Sequence, residues 1–275
     1  MRALVAEVYR RNRVLAATGS LFAILALALV IAIVFDRREL LGVNVWIKPI
    51  KFLVSVALYL WTLAWFLAYL ERPRWVLRCV AWSAAGLMLI ELSCIIFQAA
   101  RGHTSHFNNA TTLDAGIFGI MGLLILLNTI VEGSVLVLFL LPRAVTLRKQ
   151  LAPAYLWGIR LGLVSTLFSA AIGMEMIGNN QHAVGVPDGG AGLPVLNWST
   201  EAGDLRGAHA ITLHGVQLLP WVGYLFSRRP RSESSRAQLA GFSAVVAVYA
   251  AVAFWTYWQA IQGLPLVAGA WLGSG

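Results

Sequence analysis

The chain is short of charged residues. Only 12% of its 275 residues are Asp, Glu, Lys or Arg, whereas 59% are hydrophobic and the mean hydropathy is +0.74. Soluble domains carry about a quarter charged residues. This shortage excludes an ordinary soluble globular domain and predicts a protein that crosses a membrane several times.

Cysteine is also scarce, and the two residues present are badly placed for pairing. Cys79 and Cys94 fall in one predicted helix, 15 residues apart. That separation corresponds to about 22 Å of helical rise, whereas a disulfide needs Cα atoms within about 7 Å of each other. The sequence therefore has no disulfide framework, and it has neither a zinc-ribbon spacing nor the CxxCH motif of c-type haem attachment.

The net charge of +9 is not gathered into one basic region. The basic residues form short clusters between apolar runs, which is typical of topology signals in membrane proteins. We therefore expect no nucleic-acid partner. The Ala- and Arg-rich composition favours a bacterial inner membrane.

Seven apolar segments are long enough to cross a bilayer, which takes about 20 residues. The first follows a basic N-terminus, as in a signal peptide, but it ends in DRRE without a small-residue cleavage pattern, so we expect it to be retained. The predicted fold class is an all-α integral membrane protein, a seven-transmembrane-helix bundle forming a single transmembrane domain over residues 1–275. The spans are placed at about 15–35, 45–70, 76–100, 113–141, 154–178, 205–227 and 237–262, with an outer lid-like loop at 179–204.

The basic residues also predict an orientation. Fourteen lie at the N-terminus and in the 2–3, 4–5 and 6–7 breaks, and only four lie in the opposite breaks. Basic loops stay in the cytoplasm. The sequence therefore predicts a cytoplasmic N-terminus and an outer C-terminus.

All five histidines fall toward the predicted outer side. His103 and His106 follow the third span, His182 lies in the outer loop, and His209 and His214 lie in the outer half of the sixth span. Imidazole and carboxylate groups bind zinc, iron or copper. We predict His103, His106, His209 and His214 as candidate metal ligands. Since His209 and His214 are about 140° apart on a helix, a site would need ligands from the third span as well.

Carboxylates lie at matching depths. At 1.5 Å per residue, Glu91 and His214 are both about 13–15 Å from the outer helix ends, and Gln98, His209 and Glu175 are shallower. Ionisable groups inside a membrane face the bundle interior or water. We therefore predict an outward-opening polar cavity walled by spans 2, 3, 5 and 6, with Glu91 and Glu175 as candidate catalytic residues, each a general base or a further ligand.

Several other polar residues are candidate substrate-binding groups. Arg206 could hold an anionic head group or serve only as an interfacial anchor. The lysines could snorkel outward or pair with the carboxylates, and Asp204 is placed as the N-cap of the sixth span. The predicted substrate-binding set is Arg206, Gln98, Gln217, Lys48 and Lys51.

A second polar group lies in the predicted inner half of the membrane. Glu132 in the fourth span and Arg160 in the fifth are predicted to form a structural ion pair. A role in proton or substrate movement is the alternative for these two residues.

These patterns leave three functions open. The leading hypothesis is a metal-dependent membrane hydrolase or oxidoreductase acting on a lipid or amphiphile, with its site on the periplasmic or extracellular side. The alternatives are an electron-transfer protein that binds haem b or a quinone, and a transporter or sensor without catalysis. The last span contains no lysine for a retinal Schiff base, which counts against an opsin-like pigment. The sequence does not specify an oligomeric state.

Overall fold

The computed structural model describes residues 2–141, 151–228 and 235–267. Within these ranges the chain forms eight helices and four strands of two residues each. The helices are α1 Arg2–Arg11, α2 Arg13–Phe35, α3 Ile47–Leu67, α4 Arg74–Ala100, α5 Thr112–Leu140, α6 Pro153–Asn179, α7 Leu205–Ser227 and α8 Ser235–Ile261, and the strands are β1 Glu39–Leu40, β2 Val43–Asn44, β3 Ala183–Val184 and β4 Gly203–Asp204.

Helices α2 to α8 coincide with the seven predicted segments to within three residues at each end. Among the described residues, α2 to α6 and α8 are long and apolar enough to cross a membrane, and α7 does not belong to this set of six. Apart from the four two-residue strands, the regular structure of the described residues is therefore helical, and six of the helices are candidate membrane spans. Part of the basic clusters that predict the orientation lies outside the described residues, namely Arg143, Arg148, Lys149, Arg229 and Arg231.

The N-terminal helix α1 is separated from α2 by a single residue. Asn12 has an extended backbone, and its side-chain oxygen accepts a hydrogen bond of 3.1 Å from the Leu15 amide. This is the geometry of an N-cap, which satisfies one of the free donors of a new helix. The Arg11 guanidinium lies 3.8 Å from the centroid of the Trp65 ring, which joins α1 to the end of α3.

The chain divides into two compact units. Unit 1 comprises Met1–Leu40 and Asn44–Leu151 and contains α1 to α5, whereas unit 2 comprises Leu41–Val43 and Ala152–Gly275 and contains α6 to α8. The single domain predicted over residues 1–275 stays a prediction.

Large side chains fill the core of unit 1. Phe22, Leu60, Leu92 and Phe139, from four different helices, are each at most 1% exposed. Between helices in lipid, such side chains stabilise the fold through van der Waals packing rather than through transfer from water. Their packing fixes the positions of the polar side chains that the same helices carry.

Small residues allow close packing between α6 and α7 in unit 2. A Cβ atom added to Gly162 would lie 2.9 Å from the Gly215 carbonyl oxygen, and one added to Gly158 would lie 2.5 Å from the Leu219 carbonyl oxygen. Neither separation is possible for a real side chain. Glycine at these positions lets the two backbones approach, as in small-xxx-small packing of membrane helices.

The long loop between α6 and α7 is held by a short antiparallel strand pair. Ala183 in β3 pairs with Asp204 in β4, and Gly203 packs directly against the Ala260 carbonyl at the end of α8. Asp204 then caps α7, since its side chain accepts a hydrogen bond from the Arg206 amide. The predicted N-cap is thereby confirmed.

Candidate functional site

Glu91 lies in the interior of unit 1. It belongs to the buried face of α4, between Met88 and Ile95, and it is 1% exposed. Nine residues, or about 14 Å of helix, separate it from the end of α4. Neither carboxylate oxygen has a hydrogen-bond partner among the described residues, which is rare for a buried polar group.

Lys48 is the cation that acts electrostatically on Glu91. It is the second residue of α3, and its ammonium group lies 5.9 Å from the centroid of the Phe52 ring. Lys48 and Lys51 are both half-buried. Lys48 therefore influences the Glu91 carboxyl from a distance, without a hydrogen bond to it.

Gln98 belongs to a polar network at the end of α4. Its amide nitrogen donates to Asp114 at 2.9 Å, and its oxygen accepts from the Arg101 guanidinium at 2.6 Å. Arg101 also donates to Asp114 at 2.8 Å. Gln98 and Asp114 are both 0% exposed. The predicted substrate-binding residue Gln98 thus has partners for both of its amide atoms.

The two histidines of the RGHTSH stretch have different surroundings. Nδ1 of His103 lies 3.5 Å from Asp114, whereas the His106 ring lies among phenylalanines, with the Phe52 centroid at 5.7 Å. Residues 101–111, all of which the structure describes, contain no helix. An i,i+3 chelate needs a helical turn to bring its two rings together, and this pair lacks one.

The two residues of the predicted structural ion pair lie in different units. In unit 1, Glu132 accepts a hydrogen bond of 3.2 Å from Asn128, which in turn accepts one from the Tyr59 hydroxyl at 3.1 Å. In unit 2, the Arg160 guanidinium lies 5.0 Å from the centroid of the Trp157 ring. The ion pair itself stays a prediction.

In unit 2, Arg206 is held by the start of its own helix. Its guanidinium donates to Asp204 at 2.6 Å and to the Asn197 carbonyl. Asp204 also accepts from the Ser199 amide at 2.7 Å. Arg206 therefore ties the loop to α7 in the structure, and its role as an anion clamp stays a prediction.

His209 has one ring nitrogen fixed by α6. Its Nδ1 lies 2.9 Å from the backbone oxygen of Ser169 and 3.0 Å from the Ser169 hydroxyl. A carbonyl oxygen can only accept, so Nδ1 carries the hydrogen and Nε2 retains its lone pair. This pairing sets both the orientation and the tautomer of the imidazole.

The remaining predicted site residues of unit 2 form local pairs. Nδ1 of His214 lies 3.3 Å from the Gln217 side-chain oxygen, one turn further along α7. The Tyr257 hydroxyl donates to Glu175 at 2.9 Å. Glu175 therefore differs from Glu91, because a hydrogen-bond donor reaches its carboxylate.

The fifth histidine is held within the loop. Nδ1 of His182 lies 2.5 Å from Asp188, whose carboxylate also accepts from the His182 and Ala183 amides at 3.0–3.1 Å. Burial alone would raise the pKa of Asp188, but the hydrogen bonds from His182 and Ala183 hold that pKa below its usual range. Asp188 is thus an ionised anchor for the loop.

No group of three or more His, Cys, Asp or Glu side chains that could hold a metal occurs in the described part of the chain, which includes all five histidines. The predicted histidine ligands are also divided between the units, with His103 and His106 in unit 1 and His209 and His214 in unit 2. The metal site stays a prediction.

Three residues that hold the polar side chains of these regions in place were not predicted from the sequence. Asp114 had a usable signal, because Thr111 and Asp114 have the spacing of a capping box and are joined by a hydrogen bond of 2.7 Å. Ser169 and Asp188 had no such signal, since each is defined by a partner that only the folded chain brings close.

Comparisons with known proteins add no further constraint. No protein-family model matches the chain, and no curated protein or solved structure is detectably similar to it. The class defined by the fold is an all-helical protein whose described residues include six candidate membrane-spanning helices. Its function must be inferred from the geometry of its polar side chains.

Proposed function

We propose that this chain is an integral membrane transport protein in which the Glu91 carboxyl binds a proton or a small cation. The burial of both carboxylate oxygens, with no hydrogen-bond donor to either among the described residues, carries the proposal. An ionised carboxylate removed from water and from donors costs several kcal/mol. A proton or a cation removes that cost, and ionisable residues inside membranes mark ion pathways and proton relays.

The surroundings of Glu91 supply the two states that transport requires. With a proton bound, the neutral acid needs no charged partner in the apolar core of unit 1. After release, the electrostatic influence of Lys48 stabilises the carboxylate. Gln98 lies seven residues further along the same buried face of α4, so a polar group stands between Glu91 and the helix end.

The proposed topology has seven spans, with α7 as the sixth. Helix α7 has 23 residues, which is enough to cross a bilayer. Its polar residues have local partners that lower the cost of burial, namely Asp204 for Arg206 and Ser169 for His209. The basic clusters support a cytoplasmic N-terminus and an outer C-terminus, with the site facing the periplasmic or extracellular side. The Ala- and Arg-rich composition supports a bacterial inner membrane.

A metal-dependent enzyme acting on a lipid or amphiphile is the second candidate, and a haem b protein is its variant. The observation that favours both is the arrangement of His209, whose Nδ1 faces the Ser169 carbonyl and leaves Nε2 as a ligand. Metal-ligating histidines commonly use their second nitrogen in this way. Zinc, iron, copper or haem iron could bind to Nε2 of His209.

A pH-jump measurement on solid-supported membranes tests the first candidate. Full-length protein in liposomes should give a transient current when the pH is stepped, because a proton binds to Glu91 inside the membrane field. Glu91→Gln should abolish that current. Glu175→Gln is the matched control, since Tyr257 donates to Glu175, and it should leave the current unchanged. A full current from Glu91→Gln would refute the assignment.

Metal analysis and a visible spectrum distinguish the second candidate function from transport. Stoichiometric metal or a haem band that is lost in His209→Ala and kept in Glu91→Gln would favour the enzyme or haem protein. Protein without metal or chromophore that retains the Glu91-dependent current would favour transport.

A further inference from the structure

A cleft of about 210 Å³ opens in unit 1 where α2 and α4 begin. A single water needs only about 10–15 Å³ of such space, so the cleft can admit a larger group. Its lining comes from two helix starts that are far apart in sequence: Asn12, Arg13 and Val14 on one side, and Arg78, Ala81 and Trp82 on the other.

Two guanidinium groups in this cleft have no side-chain partner among the residues that the structure describes. Arg13 and Arg78 are both exposed, and neither makes a hydrogen bond or an ion pair within the described ranges. The side-chain oxygen of Asn12, in contrast, is used by the Leu15 amide. Two unpaired arginines beside one cleft attract an oxyanion, and the planar guanidinium matches phosphate oxygens in particular.

An aromatic side chain places the cleft at the level of lipid head groups. Trp82 follows Arg78 by one helical turn, so the two lie on the same face of α4. Trp82 is 64% exposed, and Trp75 at the start of the same helix is 70% exposed. Exposed tryptophan beside arginine at the end of an apolar helix is typical of the membrane–water interface.

We propose that this cleft is a binding site for the phosphate of an anionic phospholipid in the leaflet where α2 and α4 begin. Arg13 and Arg78 hold the phosphate from two sides, and the Trp82 ring packs against the glycerol and the first methylenes of the acyl chains. The site is separate from Glu91, which lies 13 residues after Arg78 in α4, and it stands whether or not Glu91 binds a proton.

Native mass spectrometry of the full chain with defined lipids tests this proposal. Phosphatidylglycerol should bind the wild-type protein more tightly than phosphatidylcholine. Arg13→Gln and Arg78→Gln should each weaken phosphatidylglycerol binding about fivefold, the effect of one cation near an anionic lipid surface. Arg37→Gln is the matched control, because the substitution removes the same charge and Arg37 is exposed just beyond the other end of α2.

The outcomes separate the possible sources of the anion. Loss in both cleft variants with none in Arg37→Gln supports the site, and a further loss in Trp82→Ala supports contact with the lipid. Phosphatidylcholine binding as tight as that of phosphatidylglycerol would overturn the proposed site. An equal loss of phosphatidylglycerol binding in all three arginine variants would overturn it too, since the attraction would then be unspecific. Displacement of the lipid by millimolar inorganic phosphate would also overturn it, since the site would then take free phosphate.

Discussion

Replacing Asp188 with asparagine should open the loop between α6 and α7 without unfolding the helices. The carboxylate accepts from two backbone amides and from the His182 ring, and both side chains of the pair are at most 16% exposed. Hydrogen bonds to charged groups are worth roughly 1.5–3 kcal/mol each. Because asparagine retains one acceptor, we expect a loss of roughly that size in total.

The pH dependence of this anchor has a definite sign. The pKa of Asp188 is lowered in the folded protein, whereas an unfolded aspartate has a pKa of about 3.9. Its contribution is therefore complete above that value and declines as the pH falls from there toward the folded pKa. Asp188→Asn should remove this acid sensitivity.

Hydrogen exchange measured by mass spectrometry is the assay, because local opening is what the substitution changes. The amides of His182 and Ala183 should exchange roughly 10- to 100-fold faster in Asp188→Asn at neutral pH. Glu201→Gln, an exposed carboxylate of the same loop, should leave exchange unchanged. Wild-type exchange rates in Asp188→Asn would refute the anchor.

Two further changes probe the packing of each unit. Gly162→Val would place its Cβ 2.9 Å from the Gly215 carbonyl; the melting temperature in detergent should fall by an amount equivalent to about 1–3 kcal/mol. Gly122→Val, where nothing lies within 4 Å, should not change it, and equal melting of both variants would contradict close packing. Asp114→Asn weakens the bond to Arg101 and should cost roughly 1.5–3 kcal/mol, measured in the same melting assay; an unchanged midpoint would show that the network is not stabilising.

The seven helices α2 to α8 were predictable because each is a mostly apolar segment of at least 21 residues that is separated from the next by charged, Pro or Gly residues. The break between α1 and α2 was not. Asn12 stands among arginines that would continue a helix equally well, and only its bond to the Leu15 amide shows that a new helix begins.

The sequence predicted how deep the candidate site residues lie along their helices, but not which side chains contact them. Spacing on α4 placed Glu91 and Gln98 on one face, and both are buried there. Which partners reach them depends on neighbouring elements: Gln98 donates to Asp114, whereas no donor among the described residues reaches Glu91. The sequence predicted that the Arg206 guanidinium would bind an anionic ligand. In the structure it is paired with Asp204, two residues earlier in the chain.

The contact between Gly203 and Ala260 has a consequence for biosynthesis. The strand pair of the loop is covered by the end of α8, a segment translated almost sixty residues later. Chains emerge from the ribosome at about 5–20 residues per second, so the loop stays without its cover for several seconds after it is synthesised. Proteases and chaperones would meet the loop first in this open form.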